Sequence, residues 1–179
     1  MQDNARYCLS VIASFLNSVR NTYGKPGAAT TPSSASELIR SLLDTYPFTN
    51  AQREWVSYRV DEDFPVVTLP NCVMLVLSSL TSNALQALQH SPQPRLEIVA
   101  GQAPDASGGR HMIRIEDNGP GIAPDVLARL TIDPVTTRAE EGGNGMGMIF
   151  CTRIMQSFGG AIAIDSAPSA GTRVTLTFP

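Results

Sequence analysis

Apolar side chains recur every three or four residues in four stretches of the chain, as they do on one face of an α-helix. These stretches are 2–20, 37–46, 70–90 and 146–158. The longest, 70–90, begins with a proline, which suits the first turn of a helix because its missing N–H would have no partner there. The spacing therefore predicts four helices, and the longest is expected to bury a wide apolar face.

Apolar and polar residues alternate in five other stretches, which predicts strands. The predicted strands are 54–60, 95–100, 110–116, 161–165 and 172–178. A short helix is expected after Pro124, and the Gly, Pro, Ser and Thr content of 21–36 predicts a loop or linker. Strands mixed with helices and hairpins predict an α/β (α+β) two-layer sandwich, with a mixed five-stranded sheet and about three helices packed on one face.

The composition of the chain indicates which kinds of partner and which cellular compartment to expect. The 179 residues are 42% hydrophobic with a net charge of −3, and the single lysine, Lys25, belongs to no basic run, so no nucleic-acid partner is expected. Cys8, Cys72 and Cys151 lie far apart in apolar surroundings, which indicates reduced, packed thiols of a cytosolic protein. Unbroken apolar runs are too short to span a bilayer, and the N-terminus lacks a signal-peptide pattern, so no membrane contact by this domain is expected.

A polar stripe interrupts the apolar face of the 70–90 helix. Ser79, Asn83, Gln86 and His90 follow one another at steps of four, three and four residues. The amide of Asn83 lies beside the apolar face, where it is costly unless it is bonded, and its carbonyl oxygen is a hard ligand suited to Mg²⁺. Taken by itself, the same stripe is also typical of a helix edge with ordinary solvated amides.

The sequence D-N-G-P-G-I follows the strand predicted over 110–116. Asp117 at the strand end puts a carboxylate at the lip of a cavity, and Gly119 and Gly121 let the backbone bend sharply or approach a ligand closely. A carboxylate accepts hydrogen bonds, so it can recognise an exocyclic amino group such as that of adenine. The alternative interpretation is a corner in which Asp117 caps the next element.

The sequence G-G-N-G-M-G-M, over 142–148, opens the last predicted helix. Its glycines free backbone N–H groups, and a helix N-terminus favours phosphate. No G-K-[ST] motif accompanies it and Lys25 lies in a loop, which excludes a P-loop or a protein-kinase lysine. The segment does not follow a strand, which disfavours a dinucleotide fold. A flexible hinge before the helix is the simpler alternative.

The order of these motifs resembles the ATP-binding catalytic domain of bacterial sensor histidine kinases, which has the Bergerat ATP-binding fold shared with gyrase B and MutL. The resemblance covers about 37–178 and rests on four matches: V-L-S-S-L-T-S-N-A over 76–84, the D-x-G-x-G of 117–121, the G-x-G-x-G of 143–147, and Gly171-Thr172 before the closing strand. Three departures stand out: Ser79 replaces the first asparagine of the helix motif, Gln86 replaces a basic residue, and the segment over the nucleotide lacks phenylalanine.

The resemblance implies a nucleotide site with ATP and Mg²⁺ as its cofactors. Asn83 falls on the magnesium-binding asparagine, Asp117 on the aspartate that contacts adenine, and Thr172 on the threonine beside that contact, while 124–141 would form the lid. The implied ATP-binding residues are Asn83, Gln86, Asp117, Gly119, Gly121, Ile122, Thr136, Thr137, Arg138, Gly143, Asn144, Gly145, Met146, Gly147, Met148 and Thr172.

The family resemblance also implies an activity and partners. Such a domain passes the γ-phosphoryl group of Mg-ATP to a histidine on a separate dimeric helical hairpin, and the kinase signals to a response regulator. Neither His90 nor His111 is followed by the acid expected after a phosphoacceptor, so the acceptor is expected outside this chain. Residues 1–22 would be the tail of the hairpin helix or a linker helix, 23–36 a linker, and 37–179 the catalytic domain of a homodimeric, cytoplasmic or membrane-anchored kinase.

Two other functions fit the same fold. One is an ATPase or an anti-sigma-type serine kinase, which Ser79 disfavours because hydrolysis by the gyrase and MutL relatives usually needs an acid in the helix motif. The other is a non-catalytic module that binds a nucleotide or a regulator, which the Phe-free lid favours.

Overall fold

A computed structural model of the chain describes residues 33–103, 109–130 and 147–179. Its strands are β1 Ser33–Ser34, β2 Val56–Val60, β3 Pro65–Val66, β4 Leu96–Gln102, β5 His111–Asp117, β6 Ala161–Ser166 and β7 Thr172–Thr177. Its helices are α1 Ala35–Thr45, α2 Asn50–Trp55, α3 Pro70–Ala87, α4 Pro124–Leu127 and α5 Gly147–Ser157, and one 3-10 turn, Leu88–His90, extends α3.

Five strands form one mixed sheet in the order β2-β4-β5-β7-β6. The β2–β4 pair is parallel, whereas β4–β5, β5–β7 and β7–β6 are antiparallel. Three helices cover the sheet: α1 contacts β4, α3 contacts β5 and α5 contacts β6. The predicted two-layer fold with a mixed five-stranded sheet is therefore confirmed. A separate antiparallel pair, β1 with β3, joins the start of α1 to the segment before α3.

The sheet register gives its two faces opposite characters. Ile98, Ile115 and Val174 lie in one cross-strand row and are buried beneath the helices. The row on the opposite face includes Glu116 and Arg173, whose charged groups pair across the strands at 3.0 Å. Burial of the apolar row on one face and hydration of the other is the pattern that fixes register in a half-buried sheet.

Helix α3 is the central helix of the core. Its buried side chains include Val73, Leu77, Leu80 and Ala84, which pack between α1, α5 and the sheet. By length and composition alone, the stretch Pro70–His90 could cross a membrane, with a mean hydropathy of 1.2, and it is the single such helix in the described ranges. Half of that stretch is buried within the domain, as expected of a core helix.

The short elements differ most from the sequence predictions. Glu54 and Trp55, predicted as strand, belong to α2, which begins at a capping box between Thr49 and Gln52. Helix α1 begins two residues earlier than predicted because Ser34 accepts the Glu37 N–H in a second capping box. The predicted loop 21–36 is thus wrong at its end, where 33–36 form β1 and the start of α1. The helix predicted over 2–20 lies outside the described residues.

Candidate functional site

A cleft of about 930 Å³ opens between α3, the segment after β5, the start of α5 and the loop after α1. Eight of the predicted site residues line it: Asn83, Gln86, Asp117, Gly121, Ile122, Gly147, Met148 and Thr172. Gly119 lies directly behind the lining, against Asp117. The remaining predicted residues lie outside the described part of the chain: Thr136, Thr137, Arg138, Gly143, Asn144, Gly145 and Met146.

The sheet register brings one end of the cleft together. Asp117 at the end of β5 is paired with Thr172 at the start of β7, and Thr172 is paired with Ser166 at the end of β6. These positions meet because antiparallel neighbours alternate their chain direction, so the end of one strand lies beside the start of the next. Polar groups 49 positions apart in sequence, at 117 and 166, therefore share one edge of the sheet.

The Asp117 carboxylate is buried, with only 7% of the residue exposed. Burial raises the pKa of Asp117 above its ordinary value, and the charge of Glu116 adds to this, while backbone hydrogen bonds from Gly119 and Thr172 act in the opposite direction. The Gly119 N–H donates to Asp117 Oδ1 at 2.9 Å. A buried carboxylate at the wall of a cleft is an acceptor that gains from a ligand donor, because a donor offsets its lost hydration.

Glycine is required where the three segments around Asp117 cross. Gly121 has φ +70°, and an added Cβ would collide with the carbonyl oxygen of Ala167 in the β6–β7 turn. At Gly119 an added Cβ would lie 2.8 Å from Asp117 Oδ1 and 3.4 Å from the Cβ of Ala87. The segment after β5 is thus held tightly against both the turn and α3, which explains the D-x-G-x-G spacing in physical terms.

The cleft has two chemically different ends. At one end Gly147, the first residue of α5, faces Ser79, since an added Cβ would lie 3.5 Å from Ser79 Oγ. At the other end Gly119, which contacts Asp117, lies against Ala87, about two helical turns further along α3. The rise of an α-helix puts these ends about 12 Å apart, with Asn83 between them. A helix N-terminus favours anions and a carboxylate favours donors, so the cleft suits a ligand with a phosphate end and an amino-bearing end.

Several residues at the site were missed by sequence reasoning. Ser166 accepts a hydrogen bond from the Ile122 N–H at 2.9 Å, donates to the Gly171 carbonyl at 2.7 Å, and lies 3.1 Å from Thr172 Oγ1. Asn118 donates from Nδ2 to the Gln93 carbonyl at 2.8 Å and accepts the Arg95 N–H at 2.7 Å. Neither serine nor asparagine carried a signal of its own in the sequence.

The lining of the cleft also includes Tyr46, Pro47 and His90. None of these three residues was predicted from the sequence to have a role in the site. The Tyr46 ring packs against Phe48, with ring centroids 4.6 Å apart, so its position is set by the loop after α1.

Ser79, the first departure from the family motif, lies in the cleft beside Cys151. Burial raises the pKa of Cys151 to about 11, and the Ser79 side chain opposes this only in part, so the thiol is neutral at physiological pH. Cys72 is likewise buried and free. The expected packed, reduced thiols are found at both of these positions, and Cys8 lies outside the described residues.

Metal binding would rest on few protein groups. Within 33–103, 109–130 and 147–179, no cluster of three His, Cys, Asp or Glu side chains could hold a metal ion. The donor chemistry at the cleft still fits Mg²⁺, because this ion keeps several waters and takes most remaining ligands from phosphates, with one or two protein oxygens. Asn83, which is exposed in the middle of the cleft, offers such an oxygen.

Residues 69–179 match the family of histidine kinase-, DNA gyrase B-, and HSP90-like ATPases, and the chain belongs to that family. The resemblance to the ATP-binding catalytic domain of bacterial sensor histidine kinases is confirmed, since the similar curated proteins are sensor kinases.

Two of these relatives match over most of this chain. The CAI-1 autoinducer sensor kinase/phosphatase CqsS of Vibrio cholerae is 28% identical over 147 residues, which is 82% of this chain and 20% of that protein. Sporulation kinase D of Bacillus subtilis is 29% identical over 124 residues, 69% of this chain and 23% of that protein. The chain therefore spans about a fifth of the length of these relatives.

Solved structures share the fold. A mycobacterial sensor histidine kinase, MprB, superposes with a TM-score of 0.66 at 20% identity, over 83% of this chain and 97% of that one. Full-length ShkA in complex with AMPPNP superposes with a TM-score of 0.70 at 21% identity, over 99% of this chain and 36% of that one.

Proposed function

We propose that the domain binds Mg-ATP in this cleft and donates the γ-phosphoryl group to a histidine on a dimerisation domain outside this chain. The observation that carries the proposal is the buried Asp117 carboxylate at one end of a cleft whose other end is the N-terminus of α5. Asp117 accepts from the adenine amino group, Thr172 lies beside it, and Asn83 offers its carbonyl oxygen to the magnesium ion between base and phosphates.

Phosphoryl transfer makes modest chemical demands on such a domain. The protein has to hold the γ-phosphate in line with the acceptor and neutralise the charge that develops, which metal, helix dipole and backbone amides supply. The start of α5 at Gly147 fits this role, and the glycines at 143 and 145 would extend it. The proposal also includes a homodimeric parent kinase and a response regulator that receives the signal.

Calorimetric titration with Mg-ADP, run at two temperatures, tests the nucleotide site. Asp117→Asn is expected to weaken binding at least tenfold, because its amide loses the charged acceptor and turns donors toward the amino group. Glu116→Gln is the matched control: it removes the neighbouring carboxylate, which faces the opposite side of the sheet and pairs with Arg173. Equal weakening by both substitutions, or none by Asp117→Asn, would refute the assignment of Asp117.

The same titration tests the metal and the non-catalytic alternative. Wild-type affinity is expected to fall when EDTA replaces Mg²⁺, and Asn83→Ala is expected to remove most of that difference. Absence of binding at both temperatures supports the module that binds a regulator instead of a nucleotide.

A further inference from the structure

The single proton of the Ser166 hydroxyl is committed to one acceptor. A serine hydroxyl carries one proton and two lone pairs. The Gly171 carbonyl, 2.7 Å away, can only accept, so the single proton of Ser166 is donated to it. The Ile122 N–H, 2.9 Å away, can only donate, so it occupies one lone pair. One lone pair is left.

This leaves one arrangement for Thr172. Its Oγ1 lies 3.1 Å from Ser166 Oγ, and since the Ser166 proton is used elsewhere, Thr172 is the donor in that contact. The Thr172 hydroxyl then has no proton left for a ligand, and it offers only lone pairs to the cleft that it lines. Ser166, which does not line the cleft itself, therefore determines that the Thr172 hydroxyl can only accept a hydrogen bond from a ligand.

The neighbouring carboxylate has the same polarity. Asp117 Oδ1 accepts the Gly119 N–H at 2.9 Å, and an ionised carboxylate can only accept. Both side chains that close this end of the cleft, Asp117 and Thr172, are thus acceptors. An amino group with two N–H donors complements such a pair, whereas a carbonyl oxygen would face lone pairs on both sides.

We propose that Ser166 is a positioning residue that fixes Thr172 as an acceptor and thereby makes the base end of the cleft selective for 6-amino purines over 6-keto purines. This inference rests on the proposed nucleotide-binding function and adds to it the means of base selection. A site built to hydrogen-bond a given group rejects an analogue that lacks it, because buried polar groups are then left unpaired.

Titration with Mg-ADP and Mg-IDP tests the proposal, since the two nucleotides differ at the 6 position and in the N1 proton that accompanies it. The wild-type domain is expected to prefer ADP by roughly tenfold to a hundredfold. In Ser166→Ala the Thr172 hydroxyl is free to turn and donate to the keto oxygen, so the preference is expected to shrink at least threefold. Thr172→Val, of similar shape, is expected to lose ADP affinity more than IDP affinity. Ser166→Thr retains the hydroxyl and is expected to keep the wild-type preference.

Further readouts separate base selection from a general loss of structure. Binding of Mg-tripolyphosphate, which has no base, is expected to be the same in all variants, and circular dichroism reports whether each is folded. A wild-type domain that binds ADP and IDP equally overturns the proposal, as does an unchanged preference in folded Ser166→Ala and Thr172→Val. If Ser166→Ala does not fold, Thr172→Val and Ser166→Thr decide by the same criteria. A wild-type domain that binds neither nucleotide refutes the proposed function itself.

Discussion

At the scale of single residues, the burial of Asp117 has two consequences: the ionised carboxylate destabilises the folded domain, and it favours a ligand that donates a hydrogen bond. Its pKa is raised by burial, so the folded domain holds the carboxyl proton more tightly than the unfolded chain does. Above the raised pKa the ionised group lowers the free energy of unfolding. As the pH falls through the raised pKa toward the ordinary value of 3.8, the carboxylate becomes protonated and this loss of stability disappears.

We therefore expect Asp117→Asn to raise the free energy of unfolding of the ligand-free domain at pH 7, while it weakens nucleotide binding. The gain over wild type is expected to shrink as the pH is lowered toward 4, because the wild-type carboxyl then becomes neutral as well. Urea unfolding of both proteins at pH 7, 5.5 and 4 measures this difference. A variant that is less stable than wild type at pH 7 would contradict the reasoning.

Residues whose chemical type is unusual for their position could be identified from the sequence. Residues whose role depends on their neighbours in the fold could not. Asp117 after a strand and Asn83 beside an apolar helix face were both recognisable, because a carboxylate or an amide there is costly without a partner. Ser166 is an ordinary strand residue until Ile122 and Thr172 are seen beside it, and these contacts link positions 44 and 6 residues away. The direction of each hydrogen bond follows only from the three-dimensional arrangement.

At the scale of elements, the β6–β7 turn is sensitive to substitution at Gly171. Gly171 has φ +80°, and an added Cβ would collide with the carbonyl oxygen of Asp117. Gly109 has a similar φ of +76° but has nothing within 4 Å of an added Cβ, so it is a matched control for backbone strain alone.

We expect Gly109→Ala to cost about 1 kcal/mol, the penalty of a left-handed backbone for an L-residue. Gly171→Ala is expected to cost about 2–4 kcal/mol, because overpacking against the Asp117 backbone is added to the same penalty. Urea unfolding measures both values. Equal destabilisation by the two substitutions would show that the turn moves away from Asp117 without cost.

Element length decided how well the sequence predicted the fold. The helix over 70–90 and the paired strands around 95–100 and 110–116 were predicted within two residues at each end, because long periodic segments bury a continuous face. The two-residue strands β1 and β3 have no period to recognise. Helix α2 was missed because it has only six residues, and its last two, Glu54 and Trp55, continue the alternation of the strand that follows.

At the scale of the whole molecule, the site exists because distant segments meet at one edge of the sheet. The strand order β2-β4-β5-β7-β6 places the ends of β5 and β6 and the start of β7 together, and α3 crosses above them. No local pattern encodes that order, and the sequence predicted a mixed five-stranded sheet without its strand order. With this strand order, the end of α5 that faces the cleft determines which end of the cleft suits phosphate and which suits the base.

This polarity also places both histidines away from the expected position of the γ-phosphate. His90 lines the cleft, but it lies beyond Asp117 and eleven residues after Ser79, about 16 Å along the helix from the α5 end. His111, at the start of β5, does not line the cleft, and its ring stacks on Phe64 with centroids 4.5 Å apart. Neither imidazole of the described residues can reach a phosphoryl group held at the start of α5.

We therefore expect the isolated chain to bind ATP without phosphorylating itself. Incubation with γ-labelled Mg-ATP, on a sample whose Mg-ADP binding has been verified by titration, is expected to leave no acid-labile label on the protein, and His90→Gln and His111→Gln are expected to behave like wild type. Because binding is verified on the same sample, absence of label cannot be due to a failure to bind nucleotide. Acid-labile label that is lost in His90→Gln would reverse the assigned polarity of the cleft, since the γ-phosphate would then have to lie at the His90 end.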